Sequence, residues 1–445
     1  MTDRPMTRPD EMLAEHRTRF FHSSTFVELE DGRILHNAGS TFTISADAGM
    51  TWSDPSGRQD KDGNPVEPMT EPSLVKLVGN GVGLAGRMYD RDAEHAGERM
   101  RSNHLLFWRS EDGGDTWEPP IRITEPGMIG TAGYQNSFLR SSSGRILLPV
   151  FLFCGQDTGP CDEELPAGGK LFRNQWIPVS DHSFDPTFSC VYIVYSDDDG
   201  RTWKRNTNGE LMIPLGMACD YNGVNESTLA EVSPGRLLLF MRNGLGRIFQ
   251  SWSQDEGETW GRPQPTALAS SNAPASINAL PNGHLLCVWN QENEEEVNLG
   301  YNRTRISSAV SRNGGGVWEF FQNVESLHEE TRVEPGPIRH ISQKEIHYRT
   351  LGTPAPVRDA EHIEETDTFG RWSYPSVLVL KDRVLIAHTF TQWEEDAEKA
   401  VPLQSSRQEG GFNQKLKVLP LTWFYGGKEP ADNPFLPRAY EPAQP

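Results

Sequence analysis

SDDDGRTW, residues 196–203, follows the pattern S-x-D-x-G-x-x-W, and that pattern returns as SADAGMTW at 45–52, SEDGGDTW at 110–117 and SQDEGETW at 253–260. A worn fifth copy, SRNGGGVW at 311–318, keeps the serine, the glycine and the tryptophan. Each copy specifies one kind of turn. A hydroxyl and a carboxylate accept backbone N–H groups, glycine supplies a tight φ, and the indole packs beneath. Such aspartates spend their lone pairs locally, so the repeats read as structural and not as catalytic or metal-binding.

Working outward, each copy is preceded by two apolar runs joined by a tight turn, and a sixth pair follows the last copy. The six are STFVELEDGRILHN (24–37), PSLVKLVGNGVGLAG (72–86), SFLRSSSGRILLPVFLF (137–153), STLAEVSPGRLLLFMRN (227–243), ASINALPNGHLLCVWN (275–290) and PSVLVLKDRVLIAHTF (375–390). β-Branched and aromatic content with Gly-containing turns makes these β-hairpins, strands A and B of a unit. A third strand, C, ends in the turn motif and a fourth, D, follows it. Six such units predict an all-β, six-bladed β-propeller of four-stranded antiparallel blades, which lets residues 1–445 form one domain. The sixth unit lacks the turn motif. Its remaining strand is expected within KLKVLPLTWFY (415–425), with a terminal segment completing a blade to close the ring. Two insertions, 154–189 and 325–370, are expected near the functional face, where loops of this length commonly serve as lids. Residues 1–19 and 427–445 read as extended tails.

The 42 Lys and Arg against 62 Asp and Glu leave a net charge of -20, which repels phosphate backbones and anionic lipid alike. Nucleic acid and membrane partners are therefore not expected. No apolar run approaches the roughly 20 residues that span a bilayer, and MTDRPMTRPDEMLAEHRTRF has no signal-peptide core, so the expectation is cytoplasmic. Five cysteines, an odd number without metal-ligand spacing, indicate neither a disulfide framework nor a zinc site. No cofactor or metal is implied, and a homo-oligomer is left open.

In an antiparallel blade the A–B and C–D turns share one face of the disc. Chemistry belongs on the other, at the starts of A, the ends of B and the starts of C. Aligned there, the inner strands begin with Ser23, Glu71, Gln135, Glu226, Pro274 and Tyr374, with His22, Tyr134 and Asn225 adjacent. Arg87 and Arg242 stand at the ends of B, and Arg303, Arg247 and Arg101 near the starts of C. Guanidinium forks beside a carboxylate and a phenol suit a carboxylate-bearing ligand.

These motifs resemble the sialidase (neuraminidase) superfamily with Asp-box, or BNR, repeats, over nearly the whole length. NESTLAEVSPGRLLLFMR resembles the stretch with the base-like glutamate and an arginine of the carboxylate-binding triad, implying those roles for Glu226 and Arg242. NRTRISSAVS implies a second triad arginine at Arg303, and RWSYPSVLVL implies a nucleophilic tyrosine at Tyr374. The family opens its first inner strand with Arg-Ile-Pro, whereas this chain reads FFHSST; Arg87 is the candidate replacement. Asp62 and Asp90 are the candidates for the acid/base aspartate. The resemblance implies a retaining glycoside hydrolase acting on a small acidic sugar or oligosaccharide. Tyr374 and Glu226 should then lie within hydrogen-bond reach, about 2.6–3.2 Å or somewhat longer without ligand.

Structural readings stand beside these. Tyr374 could be a packed edge aromatic, Glu226 a satisfied strand-end carboxylate, and Arg242 and Arg303 partners of acidic neighbours. His22 could be a channel histidine, and Glu71 has only its register to recommend it. Two further functions remain open: a uronate lyase with His22 or Tyr374 as base, and a propeller that binds acidic glycans without chemistry.

Overall fold

The computed structural model describes residues 9–18, 24–68, 70–89, 103–124, 136–154, 169–172, 175–178, 188–213, 222–298, 303–326, 328–339, 368–394 and 413–428. Among the described residues, the blade strands are hydrogen-bonded in the order A-B-C-D from the centre outward in five antiparallel sheets, and A-B-C in blade 1; blade 3 adds a short parallel strand, Asn222–Gly223, beside its strand C. The blades' inner strands touch in sequence, the last against the first, so the ring closes. The architecture is a six-bladed β-propeller.

Blade 4 shows the unit most plainly: Asn225–Ser233, Arg236–Arg242, Arg247–Ser253 and Gln264–Ala269. Blade 5 repeats it with Ser276–Ala279, Leu285–Trp289, Arg305–Ser311 and Glu319–Ser326. Blade 6 joins Thr368–Val379, Arg383–Glu394 and Asn413–Pro420 to the N-terminal strand Ala14–Thr18, paired from Ala14 opposite Val418 to Thr18 opposite Gln414. Residues 14–18, though read within an extended tail, are the terminal segment expected to complete a blade. The C-terminal stretch holds the blade's remaining strand, as expected. Its strand stops at Pro420, and LTWFY coils into a 3-10 helix, Leu421–Tyr425, that buries Trp423, Phe424 and Tyr425 between blades 5 and 6. Around the insertions, strand B of blade 3 runs to Cys154 and strand C resumes at Phe188, while strand D of blade 5 ends at Ser326 and strand A of blade 6 begins at Thr368.

The core lies between blades. Among the described residues six buried clusters occur, one per interface; Leu238 and Phe240 of blade 4 meet Leu285 and Trp289 of blade 5, and Leu286 and Val288 meet Val384 and Ile386 of blade 6. The turn motifs serve this packing. In SDDDGRTW, Gly200 N–H donates to Ser196 Oγ at 2.8 Å, Thr202 N–H to Asp198 Oδ1 at 2.8 Å, and the Thr202 hydroxyl to Asp198 Oδ2 at 2.6 Å. The copies at 45, 110 and 253 repeat these bonds. At 311 the substitute Asn313 still accepts from Val317 N–H at 2.7 Å. Gly257 has φ +87°, and a Cβ there would stand 2.5 Å from Leu147 of the preceding blade. The glycine therefore answers both the tight turn and the close approach of blades.

Across the channel, Asn136 ties three blades together: it accepts from Thr25 Oγ1 at 2.6 Å and donates to the Val377 carbonyl at 3.2 Å, while its N–H meets Ser376 Oγ at 3.4 Å. Among the described residues no helix is long and apolar enough to cross a membrane.

Candidate functional site

Two β-bulges aim the central pair. Strand register slips between Asn225 and Ser227 in blade 4 and between Ser373 and Ser376 in blade 6, so Glu226 and Tyr374 are the extra residues. Bulges re-aim a side chain at a strand end, which here turns both toward the mouth of the ring. A matching slip between Thr70 and Ser73 carries Glu71 in blade 2; x-Pro-Ser marks the bulge in both TEPS (70–73) and SYPS (373–376).

Arg242, opposite Asn225 at the end of strand B, stands between the two. Its Nη1 hydrogen-bonds the Glu226 carboxylate and also donates to the Tyr374 hydroxyl at 3.2 Å. One guanidinium nitrogen thus bridges the expected pair, because a buried carboxylate pairs first with a full opposite charge. Glu226 is 5% and Arg242 6% exposed, so their charges offset each other out of solvent.

Arg303 approaches from blade 5. Its guanidinium carbon lies 5.4 Å from the Tyr374 ring centroid, and it donates to Ser373 Oγ at 3.5 Å and to the Asn272 carbonyl at 3.2 Å. Arg303 and Tyr374 both have left-handed backbones, φ 63° and 58°. Non-glycine residues hold that conformation only where surroundings enforce it. Here the Arg303 carbonyl accepts from Trp372 N–H at 2.8 Å, and the fully buried Glu292 carboxylate accepts from Thr304 N–H at 2.7 Å. Burial raises the Glu292 carboxyl to about 7, opposed by the N–H groups of Arg303 and Thr304 and the Ser271 hydroxyl. Burial also raises the Tyr374 phenol, with the Glu226 charge adding and Arg242 and Arg303 opposing. A cluster of two guanidinium groups, a carboxylate and a phenol can take an anionic ligand and move a proton.

Of the other sequence candidates, Arg87 lies two residues before the end of strand B of blade 2, Val82–Tyr89, opposite Thr70, the counterpart of Arg242. Arg247 donates to the Thr266 carbonyl at 3.4 Å and to the Gly336 carbonyl, which ties Gly336 to blade 4. Asp62 is corrected. It is exposed in a turn whose neighbour Lys61 donates to the carbonyl of Trp117, the tryptophan of a repeated turn, so it lies on the turn side of the disc. His22, Asp90 and Gln135, and the side chain of Glu71, fall outside the described residues. Sequence reading missed Asn272 and Glu292. SSNAPAS (270–276) looks like any polar link, and Glu292 sits in an acidic run, QENEEE, that looks solvated. Among the described residues no group of three His, Cys, Asp or Glu could hold a metal ion.

A family model described as a BNR repeat-like domain matches residues 60–386. A sialidase of Bacteroides fragilis is 25% identical over 232 residues, 49% of this chain; the match spans only 35% of that relative's length. Among solved structures, a protein of unknown function from Dyadobacter fermentans superposes with a TM-score of 0.52 at 16% identity, covering 92% of this chain and 98% of its own. A mutant NanB sialidase of Streptococcus pneumoniae gives 0.50 at 12% identity, over 94% and 70%. These structural likenesses concern the fold.

Proposed function

The chain belongs to the BNR repeat-like domain family, and from that premise we propose that it is a sialidase-like glycoside hydrolase acting with retention on a terminal, carboxylate-bearing sugar. One observation carries the reading: Tyr374, Glu226, Arg242 and Arg303, from three blades, converge on one mouth of the ring. An anomeric carbon that bears a carboxylate repels a carboxylate nucleophile. A phenol avoids that repulsion if a base takes its proton as it attacks.

In this reading Arg242 and Arg303 grip the sugar's carboxylate. That grip competes with Glu226 for Arg242, and a Glu226 carboxylate relieved of its guanidinium is the acceptor for the Tyr374 proton. The phenol oxygen bonds the anomeric carbon, the glycosidic C–O bond breaks, and the leaving oxygen takes a proton for which Asp90 is the remaining sequence candidate. Water then hydrolyses the glycosyl-tyrosine with Glu226 as acid for the returning phenol.

The test is a panel of sialosides and uronosides followed by proton NMR, with wild type and Tyr374→Phe. The expected result is release of the sugar first in the substrate's anomeric configuration, lost in Tyr374→Phe while ligand binding is kept. An unsaturated product absorbing in the near ultraviolet would replace hydrolysis by a lyase reaction. Binding without turnover by the wild type would leave a glycan-binding propeller.

A further inference from the structure

Asn272 belongs to no strand. It lies in the link from Gln264–Ala269 of blade 4 to Ser276–Ala279 of blade 5. The link is fixed along its length: Trp289 Nε1 donates to the Ala269 carbonyl at 2.8 Å, Ser270 N–H to the Gly246 carbonyl at 3.2 Å, and Ala273 N–H to the Ser271 carbonyl at 2.7 Å. The last of these closes a three-residue turn with Asn272 at its apex. From that apex the side-chain Oδ1 accepts from Arg242 Nε at 2.9 Å, and the backbone carbonyl accepts from Arg303 Nη2 at 3.2 Å. Asn272 is 8% and Arg242 6% exposed, so the bond between them is buried.

One residue thus holds guanidinium groups from two blades through two oxygens whose separation the turn dictates. We propose that Asn272 is the positioning residue that sets the spacing and tilt of Arg242 against Arg303, and so selects ligands whose carboxylate engages both. The inference rests on the carboxylate-binding reading above. An amide suits the task because it accepts from Nε without charge. A carboxylate here would be a second anion on an arginine already paired with Glu226, and would cancel the potential that draws an acid. An alanine would leave a buried Nε–H without its acceptor.

Calorimetric titration with N-acetylneuraminic acid and with its carboxyl methyl ester tests this in wild type, Asn272→Ala, Arg242→Ala and the double variant. Asn272→Ala is expected to weaken the acid about tenfold or more, the loss typical of one hydrogen bond to a charged group, with the ester unaffected. In the Arg242→Ala background the same change should cost nothing further, because Asn272 acts through Arg242. Undiminished acid affinity in Asn272→Ala, or equal losses for acid and ester, overturns the proposal. Should the wild type bind neither probe, the carboxylate reading falls by itself. Crystal structures of wild type and Asn272→Ala then judge the positioning role: Arg242 swung away from Tyr374 upholds it, and an unmoved Arg242 overturns it.

Discussion

The Arg303 guanidinium carbon stands 5.4 Å from the centroid of the Tyr374 ring, across the seam between blades 5 and 6. Both residues keep left-handed backbones, φ 63° and 58°, which L side chains rarely adopt. Of the six described non-glycine residues with positive φ, Ala48, Asp199 and Glu256 belong to the repeated turns and Phe320 to an outer strand. The remaining two face each other at the site.

That strain gives a stability test. Arg303→Ala keeps the side-chain penalty of the left-handed region and Arg303→Gly removes it. The glycine variant is therefore expected to be more stable than the alanine variant by about 1 kcal/mol in urea unfolding, reversing the usual order. An alanine variant as stable as the glycine variant would mean the backbone is relaxed there.

Glu226 and Arg242 are buried together, so removing one strands the other. Glu226→Ala is expected to destabilise the fold by roughly 3–5 kcal/mol, and Glu226→Gln by less because the amide oxygen still accepts from Nη1. Denaturant midpoints of the two variants measure the difference. Equal midpoints would show that Arg242 finds solvent once its partner is gone.

Glu292 predicts a pH effect of definite sign. Burial raises its carboxyl to about 7, so the folded state holds a proton that the unfolded chain has released. Stability is then undiminished below the ordinary carboxylate pKa of about 4.3, falls as pH rises, and reaches its full loss above about 7. Glu292→Gln keeps the acceptor for Thr304 N–H and cannot ionise. Its stability, measured by urea unfolding at pH 5 and pH 8, should fall less between the two than the wild type's.

Glu325 predicts the opposite sign. It is buried with Lys417 at 3.0 Å, Lys415 at 3.2 Å and His388 at 3.4 Å, where blade 5 meets blade 6. Burial alone would raise its carboxyl; Lys417, His388 and Lys415 together hold it well below the usual range. Its contribution is present above the unfolded pKa of about 4.3 and is lost as pH falls toward the folded value. Acid unfolding of the wild type should therefore be steeper below about pH 4 than that of Glu325→Gln. Superimposable acid limbs would mean that Glu325 adds no pH-dependent stability at the seam of blades 5 and 6.

The blades were legible because their signals are local. A hydroxyl, a carboxylate, a glycine and an indole within eight residues close the same turn wherever they occur, as Ser196, Asp198, Gly200 and Trp203 do. Glu226, Arg242, Arg303 and Tyr374 were legible for a related reason: strand register assigned all four to one face before any contact was known. Asp62 shows where register stops helping. It lies on a connection, and that connection carried it to the turn side of the disc.

The chain's own pattern determined six blades, the inward strands and the candidate phenol, carboxylate and guanidinium groups, since period-two alternation and turn chemistry act over a few residues. Only the closed ring decided that Arg242 stands between Glu226 and Tyr374, that Asn272 joins two arginines from different blades, and that Glu292 is buried instead of solvated. Those relations join residues as far apart as 226, 242 and 374, and they depend on how neighbouring sheets pack against one another. No short stretch of sequence encodes that distance.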